Sequence, residues 1–152
     1  MRLFRTFMAV VAVIVAPKIV SGHCEIPCGI YGDAGRFASL LEDITTIEKS
    51  MNLIKELSVD PAKNTNQLVR WVGNKETHAD HIREVVSQYF LAQRIKEPPP
   101  GDTDAEGAYH AKLAVLHQMI RTAMKCKQTT DVANARRLHD LTRTFQDLYQ
   151  GK

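Results

Sequence analysis

The stretch AGRFASLLEDITTIEKSMNLIKEL, residues 34–57, decides the fold. Within it Leu40, Ile44, Ile47, Met51 and Ile54 recur at alternating spacings of four and three, which puts all five on one stripe of an α-helix. Strand alternation has period two and would scatter these residues over both faces. The Asp60-Pro61 pair is expected to end this segment, since proline breaks a helix interior.

Working outward, residues 65–94 repeat the pattern. Leu68, Val72, Ala79, Ile82, Val86 and Tyr89 lie along one face with Trp71 and Val85 beside it, and Gly73 and Lys75 are expected to interrupt the stripe. Residues 96–107, with Pro98, Pro99, Pro100, Gly101 and Gly107, read as the one long linker. Thr103 and Glu106 then stand at capping-box spacing ahead of a third helix, whose stripe is Tyr109, Leu113, Leu116, Ile120 and Ala123 or Met124. Thr130 or Asp131 caps a fourth, striped by Leu138, Leu141, Phe145 and Leu148 and ending before Gly151. No internal repeat is evident, and no period-two β-branched run occurs outside the first 22 residues. Four amphipathic segments with mostly short connections predict an all-α fold, an antiparallel up-and-down four-helix bundle over residues 34–150.

Upstream, Arg2 and Arg5 precede a ten-residue apolar run over residues 7–16, broken by Pro17 and followed by Val20-Ser21-Gly22. This is the layout of a cleaved leader, residues 1–22, and the run is too short to span a bilayer. An exported product follows: secreted, periplasmic or in an organelle lumen, with no membrane segment in its mature form. The leader holds three of the chain's 20 basic residues and no acid, so the remainder has 17 basic against 17 acidic residues. A neutral mature chain without a Lys/Arg-rich run excludes a nucleic-acid-binding reading.

Cleavage after Gly22 would expose His23-Cys24-Glu25-Ile26-Pro27-Cys28-Gly29-Ile30-Tyr31 as a new terminus. A terminal histidine chelates through its α-amine and its imidazole, the next residue adds a backbone nitrogen and Sγ, and Cys28 adds a second thiolate. Pro27 restricts the chain before Cys28 and Gly29 permits a tight turn after it. A nearly planar array of nitrogen and thiolate donors suits Ni(II), whereas Zn(II) prefers a tetrahedron. Such donors also favour a higher oxidation state, which makes one-electron cycling available. Two cysteines four apart also fit a small disulfide loop in an exported protein.

The string His-Cys-x-x-Pro-Cys-Gly-x-Tyr ahead of a four-helix bundle of this length closely resembles the nickel superoxide dismutases. The resemblance implies one nickel ion per subunit, held by the amine and side chain of His23, the backbone nitrogen and Sγ of Cys24 and Sγ of Cys28. It implies conversion of superoxide to oxygen and hydrogen peroxide by Ni(II)/Ni(III) cycling, and a homohexamer. On the family motif, residues 23–33 form the metal-binding hook, with Pro27 and Gly29 setting its geometry and Glu25 standing where many members have Asp. Tyr31 is the first candidate for ordering water or the bound anion, and Tyr89 resembles a second tyrosine lining the family's site. Glu42 or Asp43, with a basic partner near Asn74 or Lys75, are candidates to support the His23 imidazole. Arg94 and Lys96 are candidates to steer superoxide.

Other residues carry simpler expectations. Cys126 reads as a buried, inert thiol. His78 and His81 are three apart on a helix but lie off its apolar stripe, so they read as solvated or interface histidines. His110, His117 and His139 are isolated. The competing function is a non-enzymatic exported bundle, either a metal carrier or a disulfide-tipped interaction module.

Overall fold

A computed structural model describes residues 32–151. The expected hook residues His23, Cys24, Pro27, Cys28, Gly29 and Tyr31, and the leader, lie outside the described residues. The rest is four helices: α1 (Ala34–Leu57), α2 (Pro61–Glu84, continued by a π-helix over Val85–Arg94), α3 (Thr103–Gln128) and α4 (Val132–Gln150). Each helix packs on its chain neighbours, and α1 packs on α4, which closes the ring of an antiparallel bundle. Among the described residues no helix is long and apolar enough to cross a membrane.

The stripe of α1 is buried as its spacing predicts: Leu40, Ile44, Ile47, Met51 and Ile54 face the core, joined by Phe37. The α2 stripe departs from expectation at its start. Asp60-Pro61 opens this helix instead of only closing α1: the Asp60 carboxylate accepts the Lys63 N–H at 3.2 Å, and Pro61 takes the first turn, where no N–H is needed. Val72 is 41% exposed, and Lys75, expected to interrupt the stripe, is buried at 3%. Its Nζ donates to the carbonyls of Cys126 (2.8 Å) and Lys127 at the end of α3 and pairs with Glu76 at 3.2 Å. A long aliphatic stem packs like an apolar residue while its head satisfies carbonyls that a helix end leaves unpaired.

The linker is also shorter than expected. Irregular chain covers only residues 95–102, and Gly107 lies inside α3. The cap is Asp102, which accepts the Ala105 N–H at 3.0 Å and displaces the Thr103/Glu106 capping box. The buried face of α3 is Leu116, Met119, Ala123 and Cys126, while Tyr109, Leu113, Ile120 and Met124 are half-buried. This helix is apolar over a wide arc, so its periodicity fits two phases, and packing selects the one carrying Met119. In α4, Leu138, Leu141 and Phe145 are buried as predicted, Asp131 caps the Ala133 N–H, and Gly151 ends the helix at φ 70°.

At the end of the bundle where residue 32 enters, the core is aromatic. Phe37, Phe90, Phe145 and Tyr149 pack with ring centroids 4.9–5.8 Å apart, and Tyr89 meets Phe90 edge-on at 5.2 Å. Edge-to-face and offset contacts of this kind add to burial.

Candidate metal centre

The first described residues are Gly32, at φ 75°, and Asp33. A positive φ is readily adopted by glycine, so Gly32 turns the chain sharply as it reaches the bundle. Asp33 then stands at the N-terminus of α1, where its carbonyl accepts the N–H groups of Arg36 (3.0 Å) and Phe37 (3.2 Å). Its side chain makes no capping bond to α1. The carboxylate turns instead to the other helices and is only 8% exposed.

Four hydrogen bonds end on the Asp33 carboxylate. Tyr89 donates its hydroxyl to Oδ1; Arg94 donates Nε (3.1 Å) and Nη2 (2.9 Å), and Tyr149 its hydroxyl (2.5 Å), to Oδ2. Nε of Arg94 also reaches the Tyr149 hydroxyl at 3.0 Å. Tyr89 and Arg94 are five residues apart, about 140° around an α-helix, and could not both face Asp33 from one. The π-helix, with its bond from Ile95 N–H to the Phe90 carbonyl at 2.9 Å, brings them to one side. The Arg36 guanidinium covers the Tyr89 ring at 4.5 Å from its centroid.

The electrostatics follow from these partners. Burial pushes the Asp33 carboxyl upward, but bonds from Tyr149, Tyr89 and Arg94 outweigh it and leave the group below the usual carboxylate range. Burial and the Asp33 carboxylate raise Tyr89, and the same causes push Tyr149 up to about 12. Both phenols therefore keep their protons at neutral pH and act as donors. Bonds to Tyr149 and Asp33 raise Arg94 further. Arg94, expected to steer an anion, is thus committed to Asp33. Beside it lies a cleft of about 450 Å³ between residues 94–99, Tyr149 and the start of α3. Lys96 and Lys112 line it, and no carboxylate does.

The other expected supports are elsewhere. Asp43 is ten residues along α1, about 15 Å away. Its two oxygens bond Nδ1 of His78 (2.7 Å) and of His81 (2.6 Å), so the paired histidines have a buried carboxylate partner that their own helix does not supply. Asn74 bonds Ser50 at 3.1 Å, farther still from Asp33, at the level of Lys75. Glu42 is exposed. Cys126 is buried and its thiol is pushed up to about 11 by desolvation, partly offset by Lys75, as suits an inert cysteine. Among the described residues no group of three or more His, Cys, Asp or Glu could hold a metal ion.

Residues 18–152, which include the whole His23–Tyr31 motif, match the family described as nickel-containing superoxide dismutase. The chain belongs to that family. Comparison with curated proteins and with solved structures gave no match. Family membership makes the protein a nickel-dependent oxidoreductase acting on superoxide, and the non-enzymatic bundle is not favoured. The donor chemistry fits: an imidazole and two thiols within six residues are donors that nickel takes, and in sequence they lie just ahead of Asp33, whose carboxylate accepts four hydrogen bonds. Sequence reasoning missed Asp33 and Tyr149. Asp33 carried a faint signal, an acid two residues after the motif's tyrosine; Tyr149 carried none, because its partner is 116 positions away.

Proposed function

We propose that the nickel centre of this dismutase is built by the mature terminus: His23 through its α-amine and imidazole, Cys24 through its backbone nitrogen and Sγ, and Cys28 through Sγ, with one nickel per subunit. The observation carrying this reading is the His23–Tyr31 motif within the family match. Nickel bound there supplies one-electron chemistry, by which superoxide becomes oxygen and hydrogen peroxide. The chain's own residues do the rest. Pro27 and Gly29 shape the hook, and the Tyr31 hydroxyl orders water or the anion beside it. Tyr89 lines the site, with its proton directed at Asp33. The mature chain is formally neutral, so superoxide must be drawn in by local charge, for which Lys96 and Lys112 at the cleft beside the hook's root are the candidates.

The same reading includes removal of residues 1–22, export of the product, a hook over residues 23–33 and a homohexamer. Exposed Val69 and Val72 offer apolar surface for subunit contacts. Intact mass and metal content of the purified protein test the centre together. A chain starting at His23 with one nickel per subunit is expected. One extra residue before His23 should abolish activity, because the terminal amine is lost as a donor. A fully active extended chain, or a metal-free Cys24–Cys28 disulfide form, would overturn the assignment.

A further inference from the structure

We propose that Asp33 is the positioning residue of the nickel hook, the fixed base from which residues 23–31 reach the metal; this rests on the metal centre proposed above. Asp33 follows Cys28 by five residues, and Gly32 gives the turn between the His23–Tyr31 motif and the bundle. A helix-capping aspartate ordinarily spends its carboxylate on its own first turn. Here it does not. It is held from two other helices at once, by Tyr89 and Arg94 of the α2 extension and by Tyr149 of α4.

That arrangement exceeds what starting a helix requires. Burying a carboxylate at the aromatic end is unfavourable unless hydrogen bonds replace the water it loses. The donors do so: a guanidinium fork and two phenols that stay protonated. The π-helix is what allows two of the three partner residues to converge. Three helices are therefore locked to one point of the chain, immediately after the metal-binding motif. A short chelating segment binds a metal more tightly when one end is already fixed, because less chain entropy is lost on binding.

The test uses the chain beginning at His23, its Asp33→Asn and Tyr149→Phe variants, and Lys75→Met as a control at the opposite end of the bundle. Nickel affinity is read by competition with a chelator, the absorption spectrum of the bound nickel is recorded, and melting is followed separately. Asp33→Asn is expected to weaken nickel binding by about 10- to 100-fold, the range seen when groups that orient a metal's ligands are removed, and to alter the spectrum. Tyr149→Phe should weaken it less, in the same direction, and it carries the decision if Asp33→Asn does not fold. Lys75→Met should lower the melting temperature and leave affinity and spectrum alone. Parent-like affinity and spectrum in both hook-end variants overturn the inference, as does equal weakening by Lys75→Met. A parent chain that takes up no nickel overturns the metal centre itself, and the inference with it.

Discussion

The two ends of the bundle solve the same problem with different groups. At one end the Lys75 ammonium is buried and answered by backbone carbonyls of Cys126 and Lys127 and by the adjacent Glu76. At the other the Asp33 carboxylate is buried and answered by side chains of Tyr89, Arg94 and Tyr149. Carbonyls at a helix end need a donor wherever the helix stops, so Lys75 closes the fold and its use stops there. Phenols and a guanidinium need not have been gathered at all. Their convergence on Asp33, two positions after the family motif, sets this end apart as the one the proposed metal centre would use.

The sharpest way to test that division is at the hook itself. Cys28→Ser is expected to remove nickel and dismutase activity completely while shifting the melting temperature by no more than about 2 °C, since the bundle does not depend on the thiolate. Metal analysis alongside calorimetry checks it; joint loss of nickel and fold would make the two regions one unit. Next comes the aromatic base. Phe145→Ala should destabilise by about 3–5 kcal/mol, measured by urea unfolding, because the ring is fully buried against Phe37, Phe90 and Tyr149.

At the closed end, Lys75→Met should cost about 1–3 kcal/mol by leaving two carbonyls of α3 without their donor. Its kcat/KM for superoxide should stay at the parent value, and a fall there would erase the contrast between the ends. The smallest effect is in pH. Tyr149 has a folded pKa of about 12 against an ordinary value of 10.0, so its contribution is complete below pH 10 and is lost as pH rises toward 12. Asp33 has the opposite sign: its lowered pKa gives stability that is present above the usual carboxylate range and lost on acidification through the folded value. Melting scans of the parent and Tyr149→Phe should therefore converge above pH 10 and differ below it.

The helices were legible because their stripes are local: Leu40 to Ile54 is buried as the spacing of fours and threes predicts. The family was legible for the same reason, because the motif that carries the resemblance is contiguous from His23 to Tyr31. What escaped was set by packing between distant segments. Lys75 looked like an interruption because its carbonyl partners lie 51 and 52 residues on. His78 and His81 looked unpartnered because Asp43 is on another helix. In α3, two phases of the apolar pattern were nearly equal, and only the neighbours on α2 and α4 chose between them. The meeting of Asp33 with Tyr149 joins the two extremes of the described chain, and no periodicity encodes that.

The π-helix at the end of α2 has a consequence for how this protein tolerates changes in length. Most helices meet a single-residue deletion by fraying at one end or shifting a loop. Here the spacing from Tyr89 to Arg94 is matched to a wider turn, so removing Ala92 would shorten that interval to four and let an ordinary α-turn re-form. Tyr89 and Arg94 would still share a face, but the residues beyond would be re-phased, with the linker and the start of α3 carried round with them. Insertion or deletion at this segment is a rotation of the cleft wall about the end of the bundle where Asp33 sits, a change that a substitution at Ala92 would not bring.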